Sequence, residues 1–261
     1  MRRYALRGGQ WVRIARLLPG RPGHVGGTAA DHRLSVDAVL YRFRAGVAWR
    51  ALPARFGKGK SVHQRFGRRS GGGVWERVFA ALGGEAGDEY AMIAATIVRA
   101  HQHAAGARNK GATAEALGRS RGGLRTKSHA VVDAPGTPVA SHLTGGRASA
   151  LAGADALLAG SAAPVVLADR GDAAEARVRA PLREAGEAAV SPPKRSRKGQ
   201  RAYDRDLYGA RHRSENFSCR RKQYRGIATR DDKTKRNSLA GVHRAATAIL
   251  LNCGHALVLQ L

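Results

Sequence analysis

The run Met92-Ile93-Ala94-Ala95-Thr96-Ile97-Val98 restricts the fold more than any other stretch. It is short, continuous and apolar, with β-branched residues at its end, as a buried strand requires. Lys127–Ala134 (KSHAVVDA) alternates apolar and polar residues and reads as a second strand. Pro138–Thr144 reads as its partner, joined through a Pro135-Gly136 turn. Pro164–Asp169 (PVVLAD) is another apolar strand, ending in an acid, and Ala188–Ser191 a short one. Between and after them lie helical patterns: Ser149–Gly160 with Ser149 as N-cap, Asp172–Gly186, Tyr208–Lys222, and a buried helix at Asn237–Asn252. Residues 101–123 read as loop. This order predicts an α/β fold with a mixed sheet and helices on both faces.

Residues 9–85 read differently, as short helices. GQWVRIARLLPG places Trp11, Ile14, Leu17 and Leu18 on one face and stops at Pro19-Gly20. Thr28 or Asp31 is positioned to cap the next helix, which turns Val36, Val39, Leu40 and Phe43 inward. A turn-rich connection holding Trp49 and Pro53 follows. A third helix begins with Ser61 as N-cap and exposes Arg65, Arg68 and Arg69. A fourth turns Val74, Val78, Phe79 and Leu82 inward. Short helices with a basic third member suggest a helix-turn-helix unit, and an ordinary helical subdomain with a basic face is the alternative. The expected division is a helical DNA-binding domain over residues 1–87 and an α/β domain over residues 88–261.

Charge narrows the partner. The chain carries 46 Lys and Arg against 19 Asp and Glu, a net charge of +27, spread along its whole length. A polyanion is the natural partner, and charge alone does not separate DNA from RNA. No long basic amphipathic helix with aromatic anchors speaks for a membrane surface, and the apolar run Ala245–Leu261 is broken by Asn252, Gly254 and His255. Cys219 and Cys253 fit no zinc spacing, and the N-terminal MRRYALRGGQW has no apolar signal region, so a reducing cytosol is expected.

Four residues of the segment Tyr208–Lys222 carry candidate chemistry: Tyr208, Arg211, Glu215 and Lys222. On a continuous helix their spacing gathers them within an arc of about 60°. One carboxylate beside two cations and a phenol suits a meeting of metal and phosphodiester; a solvated helix with an Arg211–Glu215 pair is the alternative. Asp169 ends a strand, where ligands of α/β sheets bind, although a cap or turn role is also open to it. With Glu215 it could hold Mg²⁺, which takes few carboxylates together with waters and phosphate oxygens. Gly118-Arg119-Ser120-Arg121-Gly122-Gly123 lacks the Lys-Ser/Thr of a nucleotide loop, so Arg119 and Arg121 read as DNA-phosphate contacts. Lys194, Arg195, Arg197, Lys198 and Arg201 form a basic run, either solvated linker or backbone contact. His101 and His103, two residues apart, have no Cys or acid partner at metal-site spacing.

At these blocks, and at LPGRPG, GVWERVF, ATIVRAHQHAAGA, TKSHAVVDAPG, VLADRG and ENFSCRRKQYRGIATRDDKT, the chain resembles the DDE transposases of bacterial insertion sequences, in the insertion-sequence-five group. Tyr208, Arg211, Glu215 and Lys222 match that superfamily's Tyr-Arg-Glu-Lys signature. The resemblance implies a ribonuclease H-like mixed sheet with flanking helices, preceded by the helix-turn-helix-like domain. It implies metal-dependent DNA cleavage and strand transfer, with Mg²⁺ or Mn²⁺ held by three acids. It further implies double-stranded DNA as partner (terminal inverted repeats and target), a homodimer on DNA, and a bacterial cytoplasmic, nucleoid-associated location. Glu215 matches the last acid and Asp169 the second, and both are expected as metal ligands. Arg65, Arg68, Arg69, Arg119, Arg121, Tyr208, Arg211 and Lys222 are the expected DNA contacts. The first acid belongs in a segment like Met-Ile-Asp-Ser-Thr-Ile-Val-Arg-Ala-His. Here Ala94 and Ala95 stand in the Asp and Ser positions, Ala150 where an Asp is usual, and Asp172 where a Tyr is usual. An impaired transposase, or a non-catalytic DNA-binding regulator derived from one, is the expectation.

Overall fold

The computed structural model describes residues 4–21, 31–83, 89–106, 114–149, 151–158, 163–169, 179–184, 186–193 and 202–252. Its centre is β1 (Ala91–Ala100), grown from the apolar run that constrains the fold. β1 pairs antiparallel with β3 (Gly123–Asp133), from Ala91 opposite Asp133 to Arg99 opposite Arg125. β3 also pairs antiparallel with β4 (Pro138–Gly145), across the expected turn, where Gly136 takes a φ of 88° that a side chain would disfavour. On its other edge β1 runs parallel to β5 (Val165–Leu167), and β5 parallel to β6 (Ala188–Val190). Two short strands complete the sheet: β2 (Gly118–Ser120) on β3, and β7 (Thr229–Arg230) on β1. The mixed sheet is as expected. The stretch 118–123 is a hairpin arm and not plain loop, because Gly123 at φ 92° turns the chain back on itself.

The alternation of β1 sends successive residues to opposite faces. Met92 joins a core with Ala130, Val132, Leu143 and Leu167, whereas Ala91 and Ile93 join one with Val131, Val166, Leu151, Leu157 and Leu182. The second core is covered by α5 (Ala154–Leu158) and α6 (Ala180–Glu184). α5 starts later than the predicted Ser149, which is not its N-cap. Three-residue turns (Ala152 N–H to Ser149 C=O, Ala154 N–H to Leu151 C=O) precede it and seat Gly153 against the His129 ring. The predicted helix at 172–186 is described only as α6, and the basic run 194–201 lies outside the described residues.

The first core extends into α1 (Gly8–Ala15), α2 (His32–Ala45), α3 (Gly59–Gly71), α4 (Val74–Gly83) and α10 (Lys235–Leu250). Asp31 caps α2, accepting from Leu34 N–H at 2.7 Å; Thr28 lies outside the described residues. Every residue from 241 to 250 in α10 is buried, because the helix packs on α2, α3, α4, α8 (His212–Lys222), α9 (Arg225–Ala228) and β4 together. Thr234 caps it, accepting from Asn237 N–H at 3.2 Å. Among the described residues no helix is long and apolar enough to cross a membrane.

Three expectations in this helical part need correction. Leu17 is exposed, since α1 ends at Ala15 and Leu17 falls in the turn after it, while Ile14 and Leu18 are buried. Ser61 is not the cap of α3, which begins a turn earlier: Gly59 lies so close to the Trp49 carbonyl that a side chain there would collide with it. Arg69 is not exposed. It is 5% accessible, bonds the His32 ring nitrogen at 3.2 Å, and lies over Trp75. Burial, and then the charges of Arg65 and Arg244, push its pKa down to about 10. Trp75, absent from the predicted inner face of α4, is among the most buried side chains.

Candidate active site

The signature segment is not one straight helix. α7 (Arg205–Gly209), capped by Asp204, carries Tyr208; a turn at Ala210-Arg211 leads into α8. Tyr208 sits edge-on to Tyr203, with ring centroids 5.6 Å apart. Arg211, Glu215 and Lys222 stay on one side of α8, where the helical period puts residues three and four apart together. α8 is fixed to the sheet by its opposite side. Phe217 is in the core, and the fully buried Arg221 donates to Ser128 Oγ on β3 at 2.9 Å. Burial pushes the Arg221 pKa down to about 10. Near the start of α8, Arg213 donates to the Tyr90 hydroxyl at 3.1 Å and to the Ala134 carbonyl.

Between α8 and the sheet lies a cavity of about 230 Å³. Its lining brings together Ala94, Ala95 and Thr96 of β1, Asp169 just beyond β5, and Arg211, Glu215, Ser218, Cys219 and Lys222 of the α8 wall. The parallel register pairs Ala91 with Val166 and Met92 with Leu167. That pairing stops two residues short of Ala94 and Asp169, which both line the cavity. Arg211 bridges the two acids: its Nη2 lies 3.6 Å from Asp169 Oδ2 and 3.2 Å from Glu215 Oε1, and its Nη1 donates to Glu215 Oε1 at 3.3 Å. Arg211 is 15% exposed, against 47% for Asp169 and 64% for Glu215. Thus the simple i,i+4 pair exists, and Asp169 joins it from the strand. Among the described residues, no three or more His, Cys, Asp or Glu side chains gather as a metal-holding group.

Other predicted contacts lie elsewhere. Tyr208 is not in the cavity lining. Arg119 and Arg121 are exposed on the β2–β3 hairpin; Arg68 is exposed and Arg65 half-buried on α3. His101 and His103 are exposed after β1, their rings 4.4 Å apart, with His103 N–H donating to His101 Nδ1 at 3.2 Å. Ser218 and Cys219 were not singled out from the sequence, although their distance of three and four residues from Glu215 signals the same helix face.

Residues 6–79 match a family model described as "Putative transposase of IS4/5 family". A curated relative, the uncharacterized protein y4sN of Sinorhizobium fredii (strain NBRC 101917 / NGR234), is 46% identical over 103 residues, covering 40% of this chain and 82% of that protein. No solved structure matches the chain. The family match over residues 6–79 supports an IS4/5-type transposase, and the chain is similar to y4sN over four-fifths of that protein's length.

Proposed function

We propose that this chain is a DDE-type transposase by descent, of the insertion-sequence-five group, which binds the ends of its element but is impaired in cutting them. One observation carries this: Ala94, Asp169 and Glu215, matched separately to the three acid positions, line one cavity. An Asp at 94 would add a carboxylate to the cavity that Asp169 and Glu215 line. Alanine leaves that position with a methyl group. The antiparallel β4–β3–β1 half and parallel β1–β5–β6 half of the sheet support the ribonuclease H-like assignment.

Double-stranded DNA is the partner, both the terminal inverted repeats and the target. The net charge of +27 favours it through release of counterions from phosphates. Residues 1–87 recognise the ends, with α3 and α4 joined through Gly72-Gly73 as a helix-turn-helix-like pair that presents Arg65 and Arg68. Residues 88–261 form the catalytic unit, with Arg119, Arg121, Tyr208, Arg211 and Lys222 as further DNA contacts. Arg69 serves packing, given its burial. Two copies synapse two ends in the bacterial cytoplasm, on the nucleoid. Mg²⁺ or Mn²⁺, with Asp169 and Glu215 as its ligands, comes from the resemblance; two carboxylates bridged by an arginine are a poor donor set for it.

The bridged acids favour a second use of the same molecule, as a regulator that occupies ends without cutting them. Both are tested with a labelled transposon end and an unrelated competitor duplex. Specific end binding without cleavage is expected. Binding that the unrelated duplex removes equally well would end both readings, and inhibition of an intact relative would mark the regulator.

A further inference from the structure

We infer that Arg211 takes the place of a divalent cation in the cavity, so that the free protein's acids are neutralised from within and do not bind metal. The inference rests on the assignment of Asp169 and Glu215 as descendants of catalytic acids, but it concerns the protein without DNA. The guanidinium lies within 3.6 Å of both carboxylates and is mostly shielded from solvent, as a bridging cation would be. The Asp169 and Glu215 charges are balanced by Arg211 and Lys222 in the same lining, which leaves no net negative charge to attract a divalent ion. A hard divalent cation is best held by several charged oxygen donors, and the β1 wall supplies no third carboxylate, only Ala94, Ala95 and the neutral hydroxyl of Thr96. A third carboxylate at 94 would tip the balance negative. Its loss tips the balance toward the arginine, because one fixed guanidinium then satisfies both remaining acids without the cost of stripping water from an ion.

The test is a Mn²⁺ titration of the full chain without DNA, followed by the electron paramagnetic resonance of free Mn²⁺. The wild type is expected to leave Mn²⁺ free at concentrations where Arg211→Gln binds it. Arg211→Gln should bind at least about tenfold more tightly, a difference of one decade in affinity, and Ala94→Asp combined with Arg211→Gln more tightly still. Binding by the wild type that Asp169→Asn abolishes would overturn the inference, and this comparison stands even if Arg211→Gln does not fold. Equal affinity of the wild type and Arg211→Gln would overturn it as well. End binding by the wild type in EDTA, measured alongside, reports on the transposase assignment separately, since that assignment fails if specific end binding is absent whatever Mn²⁺ does.

Discussion

The two walls of the cavity differ in what they present. The α8 wall presents Arg211, Glu215 and Lys222, with Ser218 and Cys219 between them. The β1 wall, Ile93 to Thr96, presents no charged side chain. Yet β1 is still a full strand, paired over nine residues with β3, and Ala94 is 7% exposed. A strand centre is held by its backbone ladder and apolar neighbours, so an acid can leave it without loss of fold. The α8 wall depends more on its charged residues. Arg221 ties the helix to Ser128, and Arg211 ties it to Asp169. The sheet ladder therefore needs no charge at position 94, whereas α8 uses Arg221 and Arg211 for its own attachment.

The largest effect is expected from restoring the poorer wall and then breaking the richer one. In an Ala94→Asp background, Glu215→Gln should remove at least about a hundredfold of whatever end cleavage the aspartate restores, since both acids would then serve the same ions. Cleavage rates on a labelled end measure this; an unchanged rate would separate Glu215 from the site.

A second prediction concerns α10, the layer that α8 packs on. Burial, stacked on Phe79, pushes the His243 pKa down to about 4, so the imidazole is neutral in the fold. The unfolded chain takes up its proton near pH 6.5, the native state only near 4, so stability falls as pH drops through that window. The contribution lost is about 3 kcal/mol in all. Urea unfolding between pH 7 and 4 checks this, and His243→Gln should flatten the slope.

Breaking the helix wall at its root is next. Arg221→Ala should destabilise by about 2–3 kcal/mol, from lost packing and an orphaned Ser128. Arg221→Met should recover at least about 1 kcal/mol of that loss, because it refills the space without a buried charge while leaving Ser128 equally orphaned. Chemical denaturation compares the two. The smallest effect is expected from Arg211→Gln, within about 1 kcal/mol of wild-type stability, since both its carboxylate partners are well exposed. A larger loss of Tm would make Arg211 a structural strut.

The sequence disclosed the strands because their pattern is local: β1 as a continuous apolar run, β3 as an alternation, the turn at Gly136 as a Pro-Gly pair. Asp31 was legible as a cap for the same reason. The gathering of Asp169, Arg211, Glu215 and Lys222 was partly legible, through helical spacing and a strand-end acid. What sequence could not disclose depended on distant neighbours. Arg69 belongs to a basic cluster, but His32 and Trp75 bury it. Gly209, where α7 ends, is a weak local mark of the turn that separates Tyr208 from the cavity, but nothing local marks the reach of Arg211 across to Asp169.

On the proposed reading, a missing carboxylate at position 94, and not a lost fold, limits this protein. The most direct measurement is cleavage of a labelled transposon end by the wild type and Ala94→Asp side by side, with Mg²⁺ or Mn²⁺. The expected result is end binding by both and cleavage by Ala94→Asp alone. Robust cleavage by the wild type would contradict the account.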